Sequence, residues 1–313
     1  MTQAATHNRR RRRRRRYNPA FLLAIAVMMA ILIALIALCV HFAAKTAAPE
    51  VTEPPQTQST TAATDPSTDP STDPSTEPTT EPVTEPEPTT PMDVLAAFAA
   101  EHGFTLEDYP EKILELYERN PEAREYVMNY PLEYGKDHEI DISGYADYEG
   151  VPLFIQWDKQ WGYRDYIGSV AGLSACGPTC LSMVKYYFTR DPEMTPAYMM
   201  EFAEKNHYGI KGSGTQWALF SEGAEKLGLD MKELTSEQIA SEEKIAKVLS
   251  SGRIIVMNVK PGIFTTVGHY MLVVGYEDGK FKINDPNSRI NSEKLWEFEE
   301  FDQDIRMMWS FSE

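Results

Sequence analysis

Three residue types that together support thiol chemistry occur in order in the second half of this chain. Cys176 lies in Ser174-Ala-Cys-Gly-Pro-Thr-Cys180, His269 stands just before a hydrophobic run, and Asp285 sits in Asn284-Asp285-Pro286. Nucleophilic attack by a thiol needs the thiolate, an imidazole to hold its proton, and a group that orients the imidazole. Cys176 falls where an irregular, Gly-rich approach runs into a helix, whose unpaired N–H groups and positive dipole end favour a thiolate. That helix end supplies only about 0.3–1 kcal/mol. Bringing a thiol from ~8.5 to the ~3–4 of a His-paired thiol is worth several kcal/mol, at ~1.4 per unit, so an imidazole must contribute most of it.

Of the six histidines, two fall in the globular part of the chain. His207 follows a helix among Asn206, Tyr208 and Gly209 and reads as a surface-loop residue. His269 follows the Gly-containing loop 261–268 and opens a Leu/Val-rich strand, so it can project into a cleft from a rigid element. A lone His at a strand start is otherwise a structural residue. Asp285 ends the hairpin partner of that strand, within reach of His269, although Asp-Pro after a strand is also an ordinary turn.

The other thiols fit this chemistry less well. Cys39 belongs to an apolar N-terminal segment, and Cys180 lies one helical turn beyond Cys176, where it reads as core. Two cysteines in consecutive turns of one helix have poorly placed Cβ vectors for a disulfide. No residue spacing calls for a metal, and nothing calls for an organic cofactor.

These residues must be positioned by their elements. The pattern predicts a helix from Cys176 to about Phe188, with a buried stripe of Cys180, Leu181, Val184 and Tyr187. Further helices are expected over 195–206, 216–227 and 242–250, around a Gly212-Ser-Gly214 loop read as a cap into the next helix. Strands are expected over 253–259, 269–276 and 280–284, the last two joined by Asp278-Gly279. Helices first and an antiparallel sheet later read as α+β. Upstream, 151–155 is extended, and helices over 93–101, 105–119 and 121–129 form a small helical subdomain spanning 92–150.

Taken in order, Gln156-Trp157-Asp158, Gly172-Leu-Ser-Ala-Cys176-Gly-Pro-Thr-Cys180, Gly268-His269-Tyr270, Val273-Val-Gly-Tyr276 and Asn284-Asp285-Pro286 resemble the papain-like cysteine peptidases. The resemblance is to the C39-like group, related to bacteriocin-leader-processing peptidases, and covers 151–313. It implies a papain-like fold, a nucleophile at Cys176, a general base and acid at His269, and an orienting group at Asp285. It also implies an oxyanion-hole glutamine at Gln156, which by itself is an unremarkable polar residue beside a Trp. Transporter-linked members of that group carry ATP-binding and multispan regions, which nothing here resembles, so leader processing coupled to export is not implied.

The chain has 313 residues and a formal charge of −17, but eight arginines are crowded into Arg9 to Arg16. With those set aside, 22 basic residues face 47 acidic ones, a poor surface for nucleic acid or an anionic membrane. Phe21 to Val40 is uncharged and long enough to cross a ~30 Å hydrocarbon layer. The preceding Arg run places the N-terminus in the cytoplasm by the positive-inside rule. A cleaved signal peptide is the alternative, although its apolar region is normally ~7–15 residues. From Pro49 to Pro91 the chain is Thr, Pro, Ser, Asp and Glu with Ser-Thr-Asp-Pro repeats, an extended stalk that could span on the order of 130 Å.

The expected organisation is thus a basic N-terminus (1–20), a membrane helix (21–44), a linker (45–91), a helical subdomain (92–150) and a C39-like domain (151–313). The expected function is a single-pass, membrane-anchored extracellular cysteine peptidase acting on peptide or protein substrates. A cell-wall peptide amidase or transpeptidase using the same groups, and a catalytically silent surface-binding domain, are the alternatives.

Overall fold

Six antiparallel strands carry the imidazole and the carboxylate on neighbouring strand ends, and helices carry the thiol. We describe the chain from a computed structural model, in which residues 90–212 and 214–313 are described. These belong to one compact unit. No helix among the described residues is long and apolar enough to cross a membrane. The expected membrane helix and linker lie outside those residues.

Two short hairpins come first: β1 (Asp165–Tyr166) with β2 (Ser169–Val170), and β3 (Gly209–Ile210) with β4 (Gly214–Thr215). The main sheet comprises β5 (Asp230–Glu233), β6 (Ile254–Val259), β7 (His269–Glu277), β8 (Lys280–Asn284), β9 (Leu295–Trp296) and β10 (Ile305–Ser312). Its order is β5-β10-β6-β7-β8-β9, antiparallel throughout.

Every residue of β6 is buried, because both faces of the sheet are covered. Ile254, Val256, Leu272, Trp309 and Phe311 face one core, shared with the helices Cys176–Thr189 and Pro196–Lys205. The alternate residues Ile255, Met257, Met271, Val273 and Met308 face another, closed by Ile245, Phe298 and Phe301. β7 and β8 meet at Asp278 and Gly279, with φ of 50° and 77°, the pair of positive values that a two-residue hairpin turn requires.

Helix boundaries differ from expectation where backbone chemistry intervenes. The stretch predicted as one helix over 105–119 is a 3₁₀ turn (Leu106–Asp108) and a helix (Glu111–Arg119). Pro110 forces Tyr109 into extended backbone at φ −101°, ψ 127°, which breaks the run. The predicted 216–227 helix likewise divides into Trp217–Leu219 and Glu222–Lys226, with Ser221 at φ −100°, ψ −89° between them. The expected loop before Cys176 contains β2 and a helical turn, Ala171–Ser174. Tyr186, rather than Tyr187, completes the buried stripe of the Cys176 helix.

The upstream helices do not stand apart. Leu95, Ile113, Leu116, Tyr117, Tyr126 and Val127 share a core with Ile155, Trp157, Tyr163 and Val170. Pro91–Glu101 opens with a reciprocal capping box in which the Thr90 hydroxyl accepts from the Asp93 amide while the Asp93 carboxylate accepts from the Thr90 amide.

Candidate active site

His269 is positioned by pairing at the start of β7. It sits opposite Val259 in the β6–β7 register, and Asn258 Nδ2 donates to its carbonyl at 3.0 Å. One strand over, β8 ends at Asn284, whose Nδ2 donates to the carbonyls of Val151 and Pro152, tying the extended 151–155 segment to the sheet. Asp285 follows directly. Its carboxylate is enclosed: Oδ1 accepts from His269 Nε2 at 2.7 Å and from the Asn287 amide at 2.8 Å, and Oδ2 accepts from Asn291 Nδ2 at 2.8 Å. The side chains of His269 and Asp285 are 8% and 1% exposed, so the pair is shielded from water and from salt.

The half-exposed Cys176 opens the Cys176–Thr189 helix, after Ala175, a cap residue with no side-chain hydrogen bond. Its thiol lies within hydrogen-bonding reach of the His269 imidazole. Because Nε2 is committed to Asp285, Nδ1 is the nitrogen left for Sγ. Burial pulls the His269 pKa down, but the charge and hydrogen bond of Asp285, with the Cys176 contact, override it and hold the imidazole above its usual range. Burial pushes the Cys180 thiol up instead, and this side chain has no exposure. It packs as core.

Gln156 is buried, and its backbone amide donates to the Pro286 carbonyl at 2.7 Å. Its Nε2 donates to the Gly172 carbonyl at 2.8 Å, in the helical turn leading to Cys176, while its Oε1 has no protein partner. Since a carbonyl can only accept, Gly172 fixes which end of the amide is nitrogen, and Nε2 keeps a second hydrogen. The structure thus brings Cys176, His269 and Asp285 together, and ties Gln156 to the chain on both sides of them. His207 lies elsewhere, exposed, at φ 61° after the Pro196–Lys205 helix.

Several neighbours escaped the sequence reading. Asn291 holds the outer carboxylate oxygen from a five-residue helix, Arg289–Glu293, capped by the Ser288 hydroxyl. Tyr270 donates its hydroxyl to the Thr215 carbonyl at 2.9 Å, and the Tyr166 hydroxyl meets Thr215 Oγ1 at 2.9 Å. Burial chiefly, with Cys176 nearby, raises both phenols, which keeps them neutral. Only the alternation of Trp309-Ser310-Phe311-Ser312 signals β10, and the polar edge strand β5 carries no signal at all. Among the described residues, no group of three or more His, Cys, Asp or Glu side chains is placed to hold a metal ion.

Helices packed on an antiparallel sheet, with a thiol at a helix start against an imidazole at a strand start, define a C39-like peptidase fold. The chain belongs to the Peptidase_C39 like family, which it matches over residues 148–310, and this membership supports cysteine peptidase activity. Among solved structures it is similar to a Bacillus anthracis protein described as a C39-like peptidase, with 17% identity over 53% of this chain and 96% of that one, at a TM-score of 0.36. It is also similar to the peptidase domain of Streptococcus ComA, a bi-functional ABC transporter involved in quorum sensing, with 20% identity over 52% and 98% of the chains and a TM-score of 0.36. No curated protein matches it. The family match carries the assignment.

Proposed function

We propose that this chain is a membrane-anchored, extracellular cysteine peptidase in which Cys176, His269 and Asp285 act as a triad and Gln156 serves the oxyanion. The observation that carries the proposal is the buried His269–Asp285 pair set against a half-exposed thiol at a helix start, in a member of a peptidase family.

The Cys176 thiolate attacks the scissile carbonyl carbon. The new C–S bond pushes the carbonyl π electrons onto oxygen, where the Cys176 amide and the second Nε2 hydrogen of Gln156 stabilise the charge. His269 Nδ1–H then protonates the leaving amine as the C–N bond breaks, leaving a thioester. A water molecule gives its proton to His269 as its oxygen joins the acyl carbon, and collapse of that adduct expels the thiolate and frees the acid. Asp285 stays ionised and holds the imidazole by Nε2 throughout.

Residues 21–44 supply the anchor in this reading, with the arginine run on the cytoplasmic side and 45–91 as the spacer. The support is the length of the apolar run and the charge that precedes it. The test is hydrolysis of a degenerate peptide library by the wild-type chain and by Cys176→Ala. Cleavage lost in the variant is expected; equal cleavage by both chains overturns the proposal.

A further inference from the structure

The helical segment 91–133 lies upstream of the family match, and the reaction above gives it no task. Its side chains nevertheless reach the turn that carries Asp285. Glu122 accepts from three donors there: Ser288 Oγ at 2.5 Å, the Arg289 amide at 2.7 Å and the Ile290 amide at 3.3 Å. These are the cap hydroxyl and the first two amides of the Arg289–Glu293 helix, so one carboxylate satisfies donors that a helix start leaves unpaired. Asn120 Nδ2 donates to the Asn287 carbonyl at 2.9 Å, while its Oδ1 accepts from the Glu122 amide at 3.0 Å. Asn287 and Asn291 are the residues that, besides His269, hold the Asp285 carboxylate. Glu122 and Asn120 therefore grip the same short stretch that aims Asp285.

The segment also braces the thiol side. A Cβ placed on Gly172 would lie 2.5 Å from the Tyr126 hydroxyl oxygen, so Tyr126 presses on the backbone whose carbonyl anchors Gln156.

We propose that Glu122 and Asn120 are positioning residues, and that the upstream helical segment clamps the 285–291 turn so that Asp285 meets His269 Nε2. The proposal rests on the thiolate–imidazolium reading of Cys176 and His269. A clamp that only stabilised the fold would lower the melting temperature without altering how the imidazole titrates; a positioning clamp alters both.

The test uses the full chain and iodoacetamide, with the rate of Cys176 alkylation read by mass spectrometry against pH, so that no substrate is needed. The wild type should react well below the ~8.5 of a free thiol and show an upper step set by His269. Glu122→Ala, with near-UV circular dichroism unchanged, should lower that upper step by about one pH unit, a tenfold change in the equilibrium. Glu122→Gln keeps the length and one acceptor oxygen and should recover at least half of the shift. Asn120→Ser keeps a capping oxygen and loses the donor to Asn287. It should shift the step in the same direction, and it carries the test if Glu122→Ala does not fold. An unmoved upper step in folded Glu122→Ala or in Asn120→Ser overturns the clamp and leaves the pair standing. A wild-type profile with one step near ~8.5, unchanged by Asp285→Asn, overturns the pair and the clamp with it.

Discussion

The Gln156 amide donates to the Pro286 carbonyl at 2.7 Å, which couples the proposed oxyanion residue to the turn that begins at Asp285. Trp157 Nε1 reinforces the link by donating to the Asn287 carbonyl at 3.3 Å. Two residues separated by more than a hundred positions are thus held in one register by the backbone, while the side chains remain free for chemistry.

Removing the Gln156 amide should therefore spare the fold and damage turnover. Gln156→Ala is expected to lower kcat by ~10²–10³ with little change in KM, the cost of one oxyanion donor. Steady-state kinetics on the best library peptide checks this, with Cys176 alkylation as the control that the thiol is intact.

Asp285→Asn should shift the alkaline limb of the kcat/KM profile to lower pH. The limb marks loss of the His269 proton, and the Asp285 charge is what holds that pKa up against burial. A pH–rate profile from about 5 to 10 reads the shift directly.

The same pair makes stability depend on pH. The folded pKa of His269 is raised above the unfolded ~6.5, so the stabilisation is complete below ~6.5 and is lost as pH rises through the folded value. Asp285→Asn should accordingly be destabilised most at acidic and neutral pH, by roughly 1.5–3 kcal/mol for a hydrogen bond to a charged group. The gap should narrow as pH climbs above the folded value. Urea unfolding across that range measures it.

Much of this site was legible because its chemistry is tied to residue types that punctuate the chain. Cys176 marks a helix start, and His269 and Asp285 mark the ends of two strands joined by an Asp-Gly turn, so local patterning was enough to bring them close. The supports were not legible. Asn291, Glu122 and Asn120 act through contacts with partners 6 to 168 positions away, and nothing in their own sequence surroundings encodes those partners. Tyr109-Pro110 and Ser221 broke helices that apolar periodicity alone would continue.

Gly177 offers a steric test of how the Cys176 helix is seated. A Cβ there would fall 2.9 Å from both Thr215 Cβ and Cγ2. Gly177→Ala should cost about 1–3 kcal/mol through overpacking and displace the helix start that carries the thiol. Thermal unfolding and the Cys176 alkylation rate should both respond.

The two thiols should part company in any labelling experiment. Cys180 is enclosed and its thiol is raised by burial, so only Cys176 should be modified in the folded chain. Cys180→Ser should cost about 1–3 kcal/mol if the new hydroxyl finds no partner, with the reactivity of Cys176 preserved. Chemical denaturation and peptide mapping check the two halves.

The central claim is that the His269 imidazole maintains Cys176 as a thiolate. The most direct test is the rate of Cys176 alkylation by iodoacetamide at pH 5 in the wild-type chain and in His269→Ala. The paired thiol should react at least ~10-fold faster in the wild type, since a free thiol titrating near ~8.5 is almost wholly protonated there. Equal rates in the two chains would contradict the account.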